Sequence, residues 1–284
     1  MPDFPIVDAH VHLYDPALLR YSWMRGAPAI DKSHLLADFD RACGEVAVEA
    51  FVFAEVAADP GQHLAEARFA DARAAQDPRL AAILAPAPLE RGAAVAEDLA
   101  ALAAMPRVKG IRRLIQGEAD PGMCLAPEFL AGLRLLPRYG FSFDICVRHF
   151  ALVYGLELAR RCPDTLFVLD HIGKPDIRHG LREPWRGQLR ELARLPNVMC
   201  KLSGVVTEAD HASWTPATVR PYIEHALDCF GFSRTMFASD WPVSSLTHGY
   251  GDWAAIVDDI VAAASPDEKR ALFRDTARRA YRLG

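Results

Sequence analysis

The residues most able to do chemistry lie near the start of the chain, in Phe4-Pro5-Ile6-Val7-Asp8-Ala9-His10-Val11-His12-Leu13. With the period of an extended strand, Ile6, Asp8, His10 and His12 fall on one face and Val7, Val11 and Leu13 on the other. Alternate Cα atoms sit roughly 6.6 Å apart along a strand, so both imidazoles can lean toward one atom, and neutral imidazole nitrogen is a favoured zinc ligand at about 2.0–2.1 Å. A His-x-His pair alone fits hydrogen-bonded or surface histidines equally well. What adds weight lies downstream. His171 ends the run 166–171 and precedes Ile172-Gly173-Lys174-Pro175, while Asp240 ends Met236-Phe237-Ala238-Ser239-Asp240 and precedes Trp241-Pro242. A lone histidine there can be structural, and an aspartate before a turn can be a helix N-cap. Together, His10, His12, His171 and Asp240 can surround one water or one metal ion. Zinc with three protein ligands lowers the pKa of bound water to about 7, and a carboxylate in reach takes the proton, which is worth roughly 10²–10⁴-fold. The chemistry is hydrolysis by water attack.

The elements that must position these residues alternate. After the first strand comes an irregular stretch, 14–32, containing Pro16, Trp23, Gly26 and Pro28, which reads as a site wall or lid. Helical periodicity over 33–44, 60–75, 92–104, 128–139, 150–161, 185–195 and 218–230 is interleaved with apolar strand runs over 46–56, 80–86, 108–114, 141–147, 165–171, 198–202 and 235–240, and helices over 252–264 and 266–282 close the chain. Such alternation implies parallel strands joined by right-handed crossovers and covered on both faces. Eight strands in this length predict an α/β fold of the (β/α)8 TIM barrel type, read as a single domain over 1–284, whose site lies at the carboxyl ends of the strands. A doubly wound sheet is the alternative, but no Gly-x-Gly-x-x-Gly turn follows the first strand.

Composition excludes several functions. A net charge of −5 over 284 residues, without a Lys/Arg run, gives no footprint for nucleic acid or a membrane surface. The six cysteines are dispersed with no Cys-x-x-Cys, as expected of reduced thiols. No export signal or membrane span is read from the chain, so a soluble cytoplasmic protein is expected. The residues leave the oligomeric state open, a homo-oligomer included.

Other polar residues also end apolar strands: Glu55, Arg113, Arg148 or His149, and Lys201. Arg113 suits a carboxylate or sugar hydroxyl because its planar fork binds oxygen pairs. Glu55, Trp23, His149, Lys201 and Trp241 complete the candidate substrate contacts, with mixed donors and acceptors against an aromatic wall.

Four segments resemble, in order, the motifs of the amidohydrolase-related family of L-fuconolactonases, L-rhamnono-lactonases and 2-pyrone-4,6-dicarboxylate lactonases. They are Asp8-Ala9-His10-Val11-His12, Leu169-Asp170-His171-Ile172-Gly173-Lys174-Pro175, Cys200-Lys201-Leu202-Ser203-Gly204 with Thr207-Glu208-Ala209, and Ala238-Ser239-Asp240-Trp241-Pro242-Val243. The closing run 276–283 is also similar, so the resemblance spans nearly the whole chain. It implies an amidohydrolase-like barrel that opens a cyclic ester, with Asp240 deprotonating water and His10, His12 and His171 around the carbonyl. It also implies either one divalent metal, zinc first, on His10, His12, His171 and Asp240, or metal-independent polarisation of the carbonyl. Lys109 lies near the beginning of its strand, so a carbamylated lysine bridging two metals is not expected. The expected activity is hydrolysis of an aldonolactone such as a fucono- or rhamnono-lactone in carbohydrate metabolism. The alternatives are a pyrone-dicarboxylate lactonase and a metal-dependent decarboxylase or hydratase of the wider superfamily.

Overall fold

The computed structural model describes residues 2–284. Its centre is one sheet of eight parallel strands in sequence order: β1 (Ile6–Val11), β2 (Val48–Ala54), β3 (Leu80–Ala85), β4 (Val108–Arg112), β5 (Ser142–Ile145), β6 (Phe167–Leu169), β7 (Val198–Leu202) and β8 (Thr235–Phe237). Helices α1 (Leu36–Cys43), α2 (His63–Ala74), α3 (Ala96–Ala103), α4 (Pro127–Leu133), α5 (Leu152–Arg161), α6 (Trp185–Ala193) and α7 (Pro216–Phe230) fall between successive strands. After β8 follow α8 (Tyr250–Ile260), α9 (Pro266–Arg270) and α10 (Thr276–Tyr281).

The sheet closes where β8 runs out beside β1. Val11 bridges Trp241 in parallel, the His12 N–H donates to the Trp241 carbonyl (2.8 Å), and the Asp240 N–H donates to the His10 carbonyl (3.0 Å). Buried Asp8 staples the same seam: one oxygen accepts from the N–H of His10 (3.0 Å) and of Ser239 (2.9 Å), the other from the Tyr250 hydroxyl (3.0 Å). This closure makes the first and last strands neighbours, and so sets residues 10 and 12 beside residue 240.

Large side chains on the outward faces, among them Phe51, Phe53, Ile83, Phe143 and Phe237, pack with the helices, whereas the inward faces carry smaller ones such as Val7, Ala9, Val52, Ala82 and Ala238. In an eight-stranded barrel of this kind the interior is just wide enough for side chains to fill. At Gly110 a Cβ would come within 2.3 Å of Ser142 Oγ and 2.9 Å of Leu84 Cδ2. Tyr281 of α10 joins the inner cluster, so the end of the chain helps to fill the barrel.

Strict alternation fails in β1. Its pairing with β2 steps from Asp8–Phe51 to Val11–Phe53, which inserts an extra residue into β1. This bulge turns His10 and His12 into the barrel beyond inward-facing Ala9, while Asp8 stays outward against Tyr250 of α8. Asp8 therefore does not share a face with the two histidines as the simple period implies. Other differences are local. The helix read over 128–139 stops at Leu133, and a separate turn, Leu136–Tyr139, carries Pro137, whose missing N–H cannot continue the helix. The helix read over 92–104 begins only at Ala96, after a break at Gly92 with φ +60°. The run 266–282 is interrupted by a π-helical turn, Ala271–Asp275. Among the described residues no helix is long and apolar enough to cross a membrane.

Candidate active site

His10, His12, His171 and Asp240 meet at the carboxyl end of the barrel, all buried. Nε2 of His10 and of His12 are 3.1 Å apart. Asp240 Oδ1 lies 3.3 Å from His12 Nε2, 3.8 Å from His10 Nε2 and 3.9 Å from His171 Nε2. Two of these residues hold left-handed backbone, His171 (φ +55°) and Asp240 (φ +60°). For non-glycine residues this costs about 1–2 kcal/mol each, and such outliers cluster at functional sites. Strand β6 ends at Leu169, two residues short of the expected 171, so His171 sits in the turn beyond the sheet. Gly204 makes room: a Cβ there would lie 2.8 Å from His171 Nδ1 and 3.1 Å from Asp240 Oδ2.

Each ring is oriented from behind. His12 Nδ1 is 2.9 Å from the Ala54 carbonyl, His171 Nδ1 is 2.8 Å from Ser203 Oγ, and His10 Nδ1 faces both Lys201 Nζ (3.1 Å) and Asp170 Oδ1 (3.3 Å). Burial holds His10 well below the ordinary imidazole range and pushes His171 down to about 3, so both are neutral. Burial alone would raise Asp240, but the imidazoles of His171, His12 and His10 outweigh it and hold the carboxyl well below the carboxylate range. The donors His10, His12 and Asp240 lie within 4.8 Å of one another. Imidazole nitrogens whose rings are hydrogen-bonded from behind, plus one ionised carboxylate, fit a divalent transition-metal ion. A second grouping, His10, Asp170 and His171, satisfies the same limit, but the Lys201 ammonium already lies 3.1 Å from Asp170 Oδ1 and 3.1 Å from His10 Nδ1. A cation of the chain itself therefore serves that position.

Beneath the histidines lies a buried ionic network in which Glu55 and Lys201, expected as substrate contacts, are joined by Arg112, Asp144 and Asp170, which were not expected at the site. Arg112 donates from Nε to Asp170 Oδ2 (2.8 Å) and from Nη1 to the side-chain and main-chain oxygens of Glu55 (both 2.9 Å), and its Nη2 meets Cys146 Sγ (3.3 Å). Lys201 Nζ pairs with Asp144 Oδ2 (2.5 Å), which also accepts from the Tyr281 hydroxyl (2.9 Å). The signal for these residues was parity: Ile111, Phe143, Leu169 and Cys200 point outward, so Arg112, Asp144, Asp170 and Lys201 must point in.

A cavity of about 450 Å³ opens over His12, His171 and Asp240. Trp23 and Glu55 line it as expected, with the Trp23 Nε1–H donated to the Val56 carbonyl (2.8 Å) and a Glu55 oxygen accepting from the Ala57 N–H (2.6 Å). Segment 14–32 supplies Tyr14 and Trp23 to the wall. Arg113 also lines the cavity, but its guanidinium is held by Glu90 (3.2 Å) and Glu118 (2.7 Å) and is no free clamp. Three expected contacts lie elsewhere. Lys201 is wholly buried below His10. Trp241 packs against His34 and Phe39, with ring centroids 5.4 Å from each. His149 lines a different, polar cavity beside Asp176 (3.9 Å).

Behind the wall, fully buried Glu66 of α2 accepts the Val56 N–H (2.7 Å) on one oxygen, and its other oxygen has no partner. Burial, with Glu55 nearby, pushes this carboxyl from 4.5 up to about 8. The folded state holds this proton more tightly than the unfolded chain, so its stabilisation is complete below about 4.5 and is lost as pH rises through about 8. Over that window one proton changes stability by roughly 1.4 kcal/mol per pH unit at most. Glu66→Gln, which keeps the accepting oxygen, is expected to flatten the fall. Urea midpoints of both proteins at pH 5 and pH 8.5 check this, and equal slopes would contradict it.

A closed barrel with a His-x-His bulge facing an aspartate after the last strand defines an amidohydrolase architecture. The family described as Amidohydrolase matches residues 7–283, and the chain belongs to it. An amidohydrolase from Burkholderia multivorans, solved with bound HEPES (TM-score 0.89) and with bound zinc (TM-score 0.86), is 30% identical, with 99% of this chain and 100% of that one covered. The L-fucono-1,5-lactonase of Burkholderia ambifaria is 40% identical over 56% of this chain and 54% of that protein. The L-fucono-1,5-lactonase of Burkholderia multivorans is 37% identical over 62% of this chain and 64% of that protein. The matches thus span between half and two thirds of those lactonases' length.

Proposed function

We propose that this protein is a hydrolase that opens a neutral sugar lactone, such as a fucono- or rhamnono-lactone, by adding water to the ester carbonyl. The observation that carries the reading is the state of the cavity's cations. Arg112 is neutralised by Glu55 and Asp170, Arg113 by Glu90 and Glu118, and Lys174 by Glu208 at 2.9 Å. A dicarboxylate would need unpaired clamps. A neutral polyhydroxylated ring needs donors and acceptors beside an apolar wall, and Gln116, Glu118 and Asp59 with Trp23, Val56 and Leu114 provide both. The similarity to the two L-fucono-1,5-lactonases supports the same substrate class.

In this reading Asp240, ionised and aimed at the histidines, takes a proton from the attacking water and returns it to the departing ring oxygen, so the product is the open hydroxy acid. Arg112 has five N–H groups, of which those on Nε and Nη1 and one on Nη2 are engaged, which leaves one for the carbonyl oxygen or a ring hydroxyl in the cavity it lines. His10, His12 and Asp240, with His171 opposite, are the residues that would hold a divalent ion, zinc first. Such an ion supplies a Lewis acid that acidifies water and polarises the carbonyl.

A pH-indicator assay over a lactone panel tests this. Neutral aldonolactones are expected to exceed 2-pyrone-4,6-dicarboxylate in kcat/KM by about 100-fold or more, the scale on which a site lacking partners for buried charge rejects a ligand. Preference for the dicarboxylate would overturn the proposal.

A further inference from the structure

We propose that a polar cavity beside the active site is a second binding site, which takes a polyhydroxylated carboxylate such as the open acid released by the hydrolysis proposed above, the reading on which that choice of acid rests. The cavity, of about 540 Å³, is built by the loops that leave the carboxyl ends of β5, β6 and β7. It shares no lining residue with the catalytic cavity. One ion pair stands between the two: Lys174 lines the catalytic side and Glu208 the other, with Nζ and Oε1 2.9 Å apart. The Arg178 N–H donates to the Glu208 carbonyl (3.0 Å) and the His149 N–H to the Lys174 carbonyl (3.2 Å), so the three loops are tied main chain to main chain.

The two cavities differ in the state of their charges. Arg112, Arg113 and Lys174 on the catalytic side are all paired, whereas Arg148 and Arg178 in the second cavity have no side-chain partner among the described residues. The carboxylates there are engaged instead: Asp176 with His179 (2.8 and 3.0 Å), Glu208 with Lys174, and one oxygen of Asp210 with the Ala212 N–H (2.9 Å). Free guanidiniums are planar forks that suit a carboxylate. The hydroxyls of the same molecule find acceptors in the other Asp210 oxygen and in His211 Nδ1, since His211 Nε2 donates to the Thr207 carbonyl (3.0 Å). Phe150 lines this cavity with 59% of its surface exposed and offers an apolar ring to the carbon chain. A bare inorganic anion would use the arginines and leave the acceptors and the ring unmatched. Ring opening turns a neutral molecule into an anion, and the two cavities match those two charge states.

The test is calorimetric titration of the wild type, Arg148→Met and Arg178→Met with sodium L-fuconate and sodium D-gluconate, with the neutral polyol D-sorbitol, and with inorganic phosphate. Both arginines are exposed, so the variants are expected to fold as the wild type does. The acids are expected to bind the wild type at least about 10-fold more tightly than sorbitol, and each substitution to weaken them by about 10-fold or more, the scale of one hydrogen bond between charged groups. Initial rates of lactone opening are expected to stay within about twofold of wild type, because neither arginine lines the catalytic cavity. No binding of either acid, or equal affinity in all three proteins, would overturn the inference. Phosphate bound as tightly as the acids, with the same dependence on the arginines, would make this a plain anion site and overturn it too. A fall in turnover parallel to the fall in affinity would place the acid in the catalytic cavity, with the same consequence. The titrations need no turnover. A protein that binds the acids through these arginines yet opens no lactone refutes the hydrolase reading alone, and one that opens lactones but binds no acid here refutes the second site alone.

Discussion

Asp240→Asn is expected to slow lactone opening by roughly 10²–10⁴-fold in kcat, the range of a lost general base, with KM nearly unchanged and the barrel folded. The fold survives because the amide is nearly isosteric with the carboxylate, and asparagine tolerates the left-handed backbone (φ +60°) found at this position. The seam also survives, since the bond that closes it there runs from the Asp240 main-chain N–H to the His10 carbonyl (3.0 Å). What is lost is the carboxylate, as proton acceptor and as the anionic group that would hold a divalent ion beside His10 and His12. Steady-state kinetics on the best lactone of the panel, with thermal denaturation as the control for folding, check this; turnover within threefold of wild type would refute Asp240 as the base.

The second large effect separates two adjacent arginines. Arg112→Met is expected to cost about 3–5 kcal/mol, because removing one partner strands the buried charges of Glu55 and Asp170. Arg113→Met is expected to cost no more than about 1 kcal/mol, because its partners Glu90 and Glu118 reach solvent and rehydrate. Urea denaturation of the two variants measures the difference. Equal losses would mean that the ionic network below the histidines does not support the fold.

The contrast between these arginines shows what the sequence made legible. The barrel could be read because eight apolar runs alternate with helical periodicity, and three histidines and an aspartate could be read because each ends one of those runs. Arg113 was the natural choice for a clamp as the last cation of its run. Parity within the strand decides otherwise: Ile111 packs outward, so Arg112 points in and Arg113 turns to the rim. The same rule, applied to Cys200-Lys201-Leu202, places the lysine inside the barrel, below His10 and off the wall of the cavity. Parity also has an exception at the site itself. The extra residue in β1 re-aims His10 and His12, and no residue type in Asp8-Ala9-His10-Val11-His12 announces it. The pairing of Asp8 with Ser239 and Tyr250 joins residues more than 230 positions apart and depends on closure of the sheet. Trp23 and Glu55 fell on the cavity because their segments follow the carboxyl ends of β1 and β2, where a barrel builds its site.

The central claim is that water, deprotonated by Asp240, adds to the ester carbonyl of a lactone. Turnover of a neutral aldonolactone in ¹⁸O-labelled water tests it most directly. The account predicts one labelled oxygen in the carboxylate of the product and none in the ring-derived hydroxyl. Label in that hydroxyl, or release of carbon dioxide without ring opening, would contradict it.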